Sequence, residues 1–129
     1  MKDIKAKIIG SEKIKLKYLE ENLYQLSKKV YLYFENEIIN KDKFEKLLLK
    51  FENELSKKLS KFKTLIIIGE TTEEYLSSDL LFFNNIDTFV VFCLVNKSNE
   101  KIYINNKWIF TLGLNYKKYT TIIKHILEQ

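Results

Sequence analysis

The sequence predicts an α+β domain, a mainly antiparallel sheet with helices gathered on one face, in the element order ββ-αα-β-α-βββ-α. Three observations carry that reading. Apolar residues alternate with lysines near the amino terminus, recur at steps of three and four through 19–62, and then gather into β-branched runs at 64–68 and 88–95.

Each element follows in turn. Within 3–18, Ile4, Ala6 and Ile8 share a face against Lys5 and Lys7, and Ile14, Leu16 and Tyr18 repeat the pattern against Lys13, Lys15 and Lys17. Gly10-Ser11 suits the turn between them, so 3–18 reads as a half-buried β-hairpin whose lysine-rich outer face guards against edge pairing. From Leu19 the period changes. Leu19, Leu23, Leu26, Val30, Phe34 and Ile38 fit one stripe of an amphipathic helix, which Asn40 and Lys41 interrupt. Asp42, with Glu45 three residues on, offers a capping box for a second helix carrying Phe44, Leu48, Phe51, Leu55, Leu59 and Phe62. Together 19–62 reads as a helical hairpin.

The region 64–112 reads as sheet with one short helix. A strand over 64–68 ends at Gly69, and Thr71 with Glu74 suggests a capped helix over 72–83 that Asn84 and Asn85 stop. Residues 88–95 give the strongest strand signal, the turn 96–99 returns the chain into a strand over 101–104, and a further strand over 108–112 ends at Gly113. A carboxy-terminal helix over 115–128 presents Tyr119, Ile122, Ile123, Ile126 and Leu127 on its apolar side.

The 129 residues, 46% hydrophobic and without proline, fit one domain spanning 1–129. One cysteine and one histidine exclude an intrachain disulfide framework and a thiolate–imidazole zinc cage, so no cofactor is expected. Apolar runs stay far below the roughly 20 residues of a membrane span. The first residues lack the apolar stretch of a secretory signal, and the expected compartment is the cytoplasm.

Charge is uneven. All 22 basic side chains are lysine: residues 1–63 hold 16 against 10 acids, 64–96 none against 5, and 97–129 hold 6 against 2. A positive surplus attracts polyanions, but without arginine the bidentate grip on phosphates and guanine edges is missing. Codon bias in an AT-rich genome accounts for the same abundance of Lys, Ile, Asn and Tyr.

Four groups of residues are candidates for chemistry. Gly69-Glu70-Thr71-Thr72 resembles a strand-to-helix anion turn in outline, but Glu70, Glu73 and Glu74 would repel phosphate there. Glu70, Asp87 and Glu100, with Glu73 and Asp79 nearby, are the carboxylates that a divalent metal would need, yet Lys101 sits one place too early for a restriction-type nuclease motif and Ile102 occupies its position. His125 and Cys93 have no partner in sequence that would make a nucleophile–base pair. Eight Tyr, nine Phe and Trp108, interleaved with lysines, suit a protein interface or a core rim better than base stacking.

The expected function is therefore a non-catalytic protein-binding or assembly module. It would contact a protein partner or a second copy through the helical hairpin, with Tyr24, Tyr31, Tyr33 and Phe34 as anchors. The alternative is non-specific RNA or DNA binding through Lys57, Lys58, Lys61, Lys63, Lys117 and Lys118, and a third reading is metal-dependent hydrolysis.

Overall fold

A computed structural model describes residues 2–50, 63–72, 83–84, 88–98, 100–104 and 114–128. In chain order these form α1 (Lys2–Ile9), β1 (Lys17–Glu20), β2 (Leu23–Ser27), β3 (Val30–Phe34), α2 (Lys41–Lys50), β4 (Lys63–Thr71), β5 (Phe83–Asn84), β6 (Thr88–Asn96), β7 (Ile102–Ile104) and α3 (Leu114–Glu128). The domain is α+β, and its sheet is mixed. Among the described residues, seven strands lie in the order β1-β2-β3-β4-β6, with β5 and β7 both on the outer side of β6.

The sheet has two halves of different character. β1, β2 and β3 form an antiparallel meander, whereas β3, β4 and β6 run parallel to one another. Parallel neighbours need a long crossover, and 35–62, containing α2, connects β3 to β4. These three strands are buried on both faces, as parallel strands under helices are. Val30–Phe34, Leu65–Ile68 and Val90–Leu94 are all buried.

Strand alternation divides the core into two layers. Val30, Leu32 and Phe34 of β3, Ile66 and Ile68 of β4, and Val91 and Cys93 of β6 pack with Ile8 of α1 and Ile123 and Ile126 of α3. Tyr31, Tyr33, Leu65, Ile67, Val90, Phe92 and Leu94 pack on the other face with Phe44 and Leu47 of α2. Each fully buried side chain of this size contributes roughly 1.5–3 kcal/mol of transfer free energy, so these layers dominate stability. Helices thus cover both faces, not one, because the β3–β4 crossover passes on the side opposite α1 and α3.

The amino-terminal third departs most from the expected elements. The hairpin over 3–18 is instead α1 followed by a loop into β1. Ile4 and Ile8 stand one helical turn apart and meet the α3 layer, while Ala6 between them is exposed. The first helix of the 19–62 hairpin is instead the end of β1, β2 and β3. Its hinge is Lys28-Lys29, which closes the β2–β3 turn, and Asn22 takes a left-handed conformation (φ 67°) between β1 and β2, one that asparagine tolerates.

Elsewhere the differences are smaller. Asn40, not Asp42, caps α2, since its Oδ1 accepts the Lys43 amide at 2.8 Å. Thr71 is the last residue of β4, its hydroxyl donating to Ile39 O at 2.9 Å, and Gly69 and Glu70 are strand residues as well. The strand over 88–95, the return over 101–104 and the carboxy-terminal helix are present as β6, β7 and α3. The expected helix residues 73–82, the strand at 108–112 and the second half of the α2 stripe, from Phe51 to Phe62, lie outside the described residues.

Candidate functional site

One edge of the sheet is open. β1 pairs with β2 on one side and with no described strand on the other. It is short, and a register shift between Tyr18 and Glu20 marks a bulge, which sharpens the local twist. Tyr18 is 62% exposed, more than any other large apolar side chain among the described residues, and Leu19 beside it is 36% exposed.

An aromatic stair leads from this edge into the core. The ring of Tyr18 meets Tyr24 edge-on at 5.6 Å, and Tyr24 meets the fully buried Phe34 at 5.7 Å. Edge-to-face pairs of this kind add roughly 0.5–1.5 kcal/mol beyond their buried area. Lys5 of α1 approaches both the Tyr24 and Phe34 rings, at 6.0 and 5.8 Å, while its Nζ donates to Asn22 Oδ1 at 2.7 Å. The exposed tyrosine is therefore packed against a stack of rings that reaches the core. Along the same edge, exposed Lys13, Lys15 and Lys17 precede it and Glu20 and Glu21 follow it. A shallow groove of about 320 Å³ lies beside it, lined by Lys15, Leu16, Lys17, Gln25, Leu26 and Ser27.

The carboxyl ends of the parallel strands are a second concentration of polar groups. Glu35, just past β3, is buried; its carboxylate lies 3.2 Å from Lys43 Nζ and accepts the Glu37 amide, and Glu37 reaches the same ammonium at 3.2 Å. Burial alone would lower the Lys43 pKa, but the hydrogen bonds and charges of Glu35 and Glu37 outweigh it and hold the ammonium above its usual range. Glu70, near the end of β4, pairs with Lys97 at 3.3 Å. Burial would raise its pKa, yet its cationic neighbours, Lys97 among them, hold the carboxyl below the ordinary value.

Backbone bonds stitch these ends together. The Glu35 amide donates to Ile68 O, the Ile39 amide to Glu70 O, and the Thr71 hydroxyl to Ile39 O. At the end of β6, buried Asn96 accepts the Ser98 amide with Oδ1, and its Nδ2 makes no hydrogen bond among the described residues. These carboxylates are paired with lysines where the parallel strands end, an arrangement that closes strand ends. Among the described residues no three Asp, Glu, His or Cys side chains come together to hold a metal ion.

At the opposite edge of the sheet, a cleft of about 580 Å³ opens between β7 and α3, lined in part by Tyr103, Thr120, Thr121, Lys124 and His125. Cys93 of β6, opposite Ile104 in the sheet, is fully buried, and burial pushes its thiol up to about 12.

The residues expected to act are distributed as follows. Tyr31, Tyr33 and Phe34 belong to β3 and are buried, so they are core side chains and not helix-surface anchors. Alternating on a strand covered on both faces, they have no outer side to present. Tyr24 is half-buried on β2 within the aromatic stair. Lys57, Lys58 and Lys61 lie outside the described residues; Lys63 opens β4, and Lys117 and Lys118 sit in the first half of α3. Glu70 is tied to Lys97, Asp87 is not described, and Glu100 sits exposed in the β6–β7 turn with a left-handed φ of 60°. Sequence reasoning missed Leu19 and the exposure of Tyr18. The nearby charge reversal from Lys17 to Glu20-Glu21 is the signal that marks this edge. Comparison with family models, curated proteins and solved structures finds no match for this chain.

Proposed function

We propose that this chain is a non-catalytic binding module that engages protein through the open β1 edge of its sheet. The observation that carries the reading is Tyr18, 62% exposed on the outermost strand of the sheet and packed against Tyr24. An exposed aromatic side chain on a sheet's outermost strand is what strand-addition interfaces use, since the added backbone supplies affinity and the side chains supply specificity. The carboxylates of Glu35 and Glu70 at the strand ends are paired with lysines, and the buried thiol is held neutral, which supports contact over chemistry.

A photoreactive phenylalanine analogue in place of Tyr18 tests the reading in cells, with the same group in place of His125 as a control at the far edge. Protein adducts from position 18 that are absent from position 125 are expected. Adducts to nucleic acid at position 18 would favour the lysine-based alternative, and no adduct at position 18 would remove the proposal.

A further inference from the structure

Resting on that reading, we propose that the partner at the β1 edge is a second copy of this chain, added antiparallel so that two sheets become one. The argument is the polarity of charge along the edge. Lys13, Lys15 and Lys17 lie on one side of the exposed pair Tyr18-Leu19, and Glu20 and Glu21 lie on the other. When two such edges run antiparallel about a two-fold axis between Tyr18 and Leu19, Lys17 of each copy faces Glu20 of the other, and Tyr18 meets Leu19 of the other copy. Running parallel, like charges would face each other, which disfavours that arrangement.

Lysines and a bulge usually protect an edge from indiscriminate pairing. Here the lysines occupy one end only, so they reject uniformly basic or misaligned strands while leaving the self-complementary register open. The bulge supports the match. Lys17 pairs with Gln25 and Glu20 with Leu23, and Gln25 and Leu23 stand two apart on β2, so Lys17 and Glu20 share one sheet face despite being three residues apart. Cross-strand partners must share a face, and these two do. Four residues of strand bury little area, so the association is of the weak, concentration-dependent class, below about 1,200 Å² of total interface.

Sedimentation equilibrium on the full chain between about 10 µM and 1 mM, the range in which such small interfaces assemble, tests the proposal with three variants whose folding is checked by circular dichroism. The wild type is expected to shift from one chain mass toward two. K17E, which sets a carboxylate at position 17 against Glu20, and E20K/E21K, which sets an ammonium at position 20 against Lys17, should each weaken self-association about fivefold or more. Mixed together, those two variants should associate at least as well as the wild type, because their edges are complementary. Y18S should weaken association without altering the charge pattern. A wild type that stays at one chain mass across the range, or a dimer indifferent to all these changes, would overturn the proposal. A monomeric wild type that still forms a position-18 adduct with a different protein overturns the second copy alone and leaves the protein-binding reading standing, whereas the absence of both overturns the two together.

Discussion

Gly69 lies directly beneath Ile39: a Cβ on residue 69 would come within 2.6 Å of Ile39 Cδ1 and 3.4 Å of its Cγ1. This close approach lets the loop after β3 cross the end of β4, where the Ile39 amide and carbonyl bond Glu70 and Thr71. Ile39 is fully buried, so it has little room to yield. G69A is therefore expected to destabilise the fold by about 1–3 kcal/mol through overpacking. I39V, which removes Cδ1, should recover part of that loss in the double variant. Urea denaturation of both single variants and the pair measures the non-additivity.

Lys43 neutralises Glu35 and Glu37 together. K43M removes the shared cation and leaves the buried Glu35 carboxylate without it. The expected cost is about 2 kcal/mol, less than the loss for a fully buried pair because Lys43 is partly solvated. Replacing Glu35 as well, in E35Q/K43M, should cost less than the sum of the single changes. Strict additivity in a denaturant-based double-mutant cycle would contradict the coupling.

Acid should weaken the fold through Glu70. Its folded pKa lies below the ordinary value of 4.5, so the unfolded chain binds the proton more readily. The stabilisation is complete above that value and is lost as the pH falls through the lower folded pKa. E70Q should therefore show a shallower loss of stability below about pH 4.5 than the wild type, measured by thermal unfolding over the acid range. Identical slopes would exclude Glu70 as a contributor.

Cys93 predicts the opposite end of the pH scale. Burial raises the thiol from 9.0 to about 12, so the folded chain keeps a proton that the unfolded chain releases, and stability declines as the pH rises from 9.0 toward 12. At neutral pH a thiol reagent should leave the native chain unmodified and label one site after denaturation. Rapid labelling of the folded chain would show that the layer between β6 and α3 opens readily.

The outcome along the chain shows which signals are legible. β6, β7 and α3 follow from β-branched runs, a polar turn and a helical stripe, which coincide with their tertiary surroundings. The β2–β3 meander was hidden because Leu23, Leu26, Val30 and Phe34 happen to fall at helical spacing. Only the unbroken run Val30-Tyr31-Leu32-Tyr33-Phe34, apolar on both faces, points to a covered strand, and its preceding turn is built from two lysines with no glycine or asparagine to announce it. Ile4, Ala6 and Ile8 satisfy the strand and helix periods equally, and only the α3 layer decides between them. The open edge was legible in its charges but not in its exposure. Tyr18 follows the inward residues Ile14 and Leu16 at the strand period, and its solvent contact follows from β1 being the last strand in the sheet.

Amide hydrogen exchange of Lys17–Glu20 at low and high protein concentration tests most directly whether this edge is where the molecule makes contact. The account predicts that exchange in this segment slows as concentration rises, while Ile102–Ile104 on the far edge exchanges at an unchanged rate. Equal rates at every concentration for Lys17–Glu20, or slowing confined to Ile102–Ile104, would contradict it.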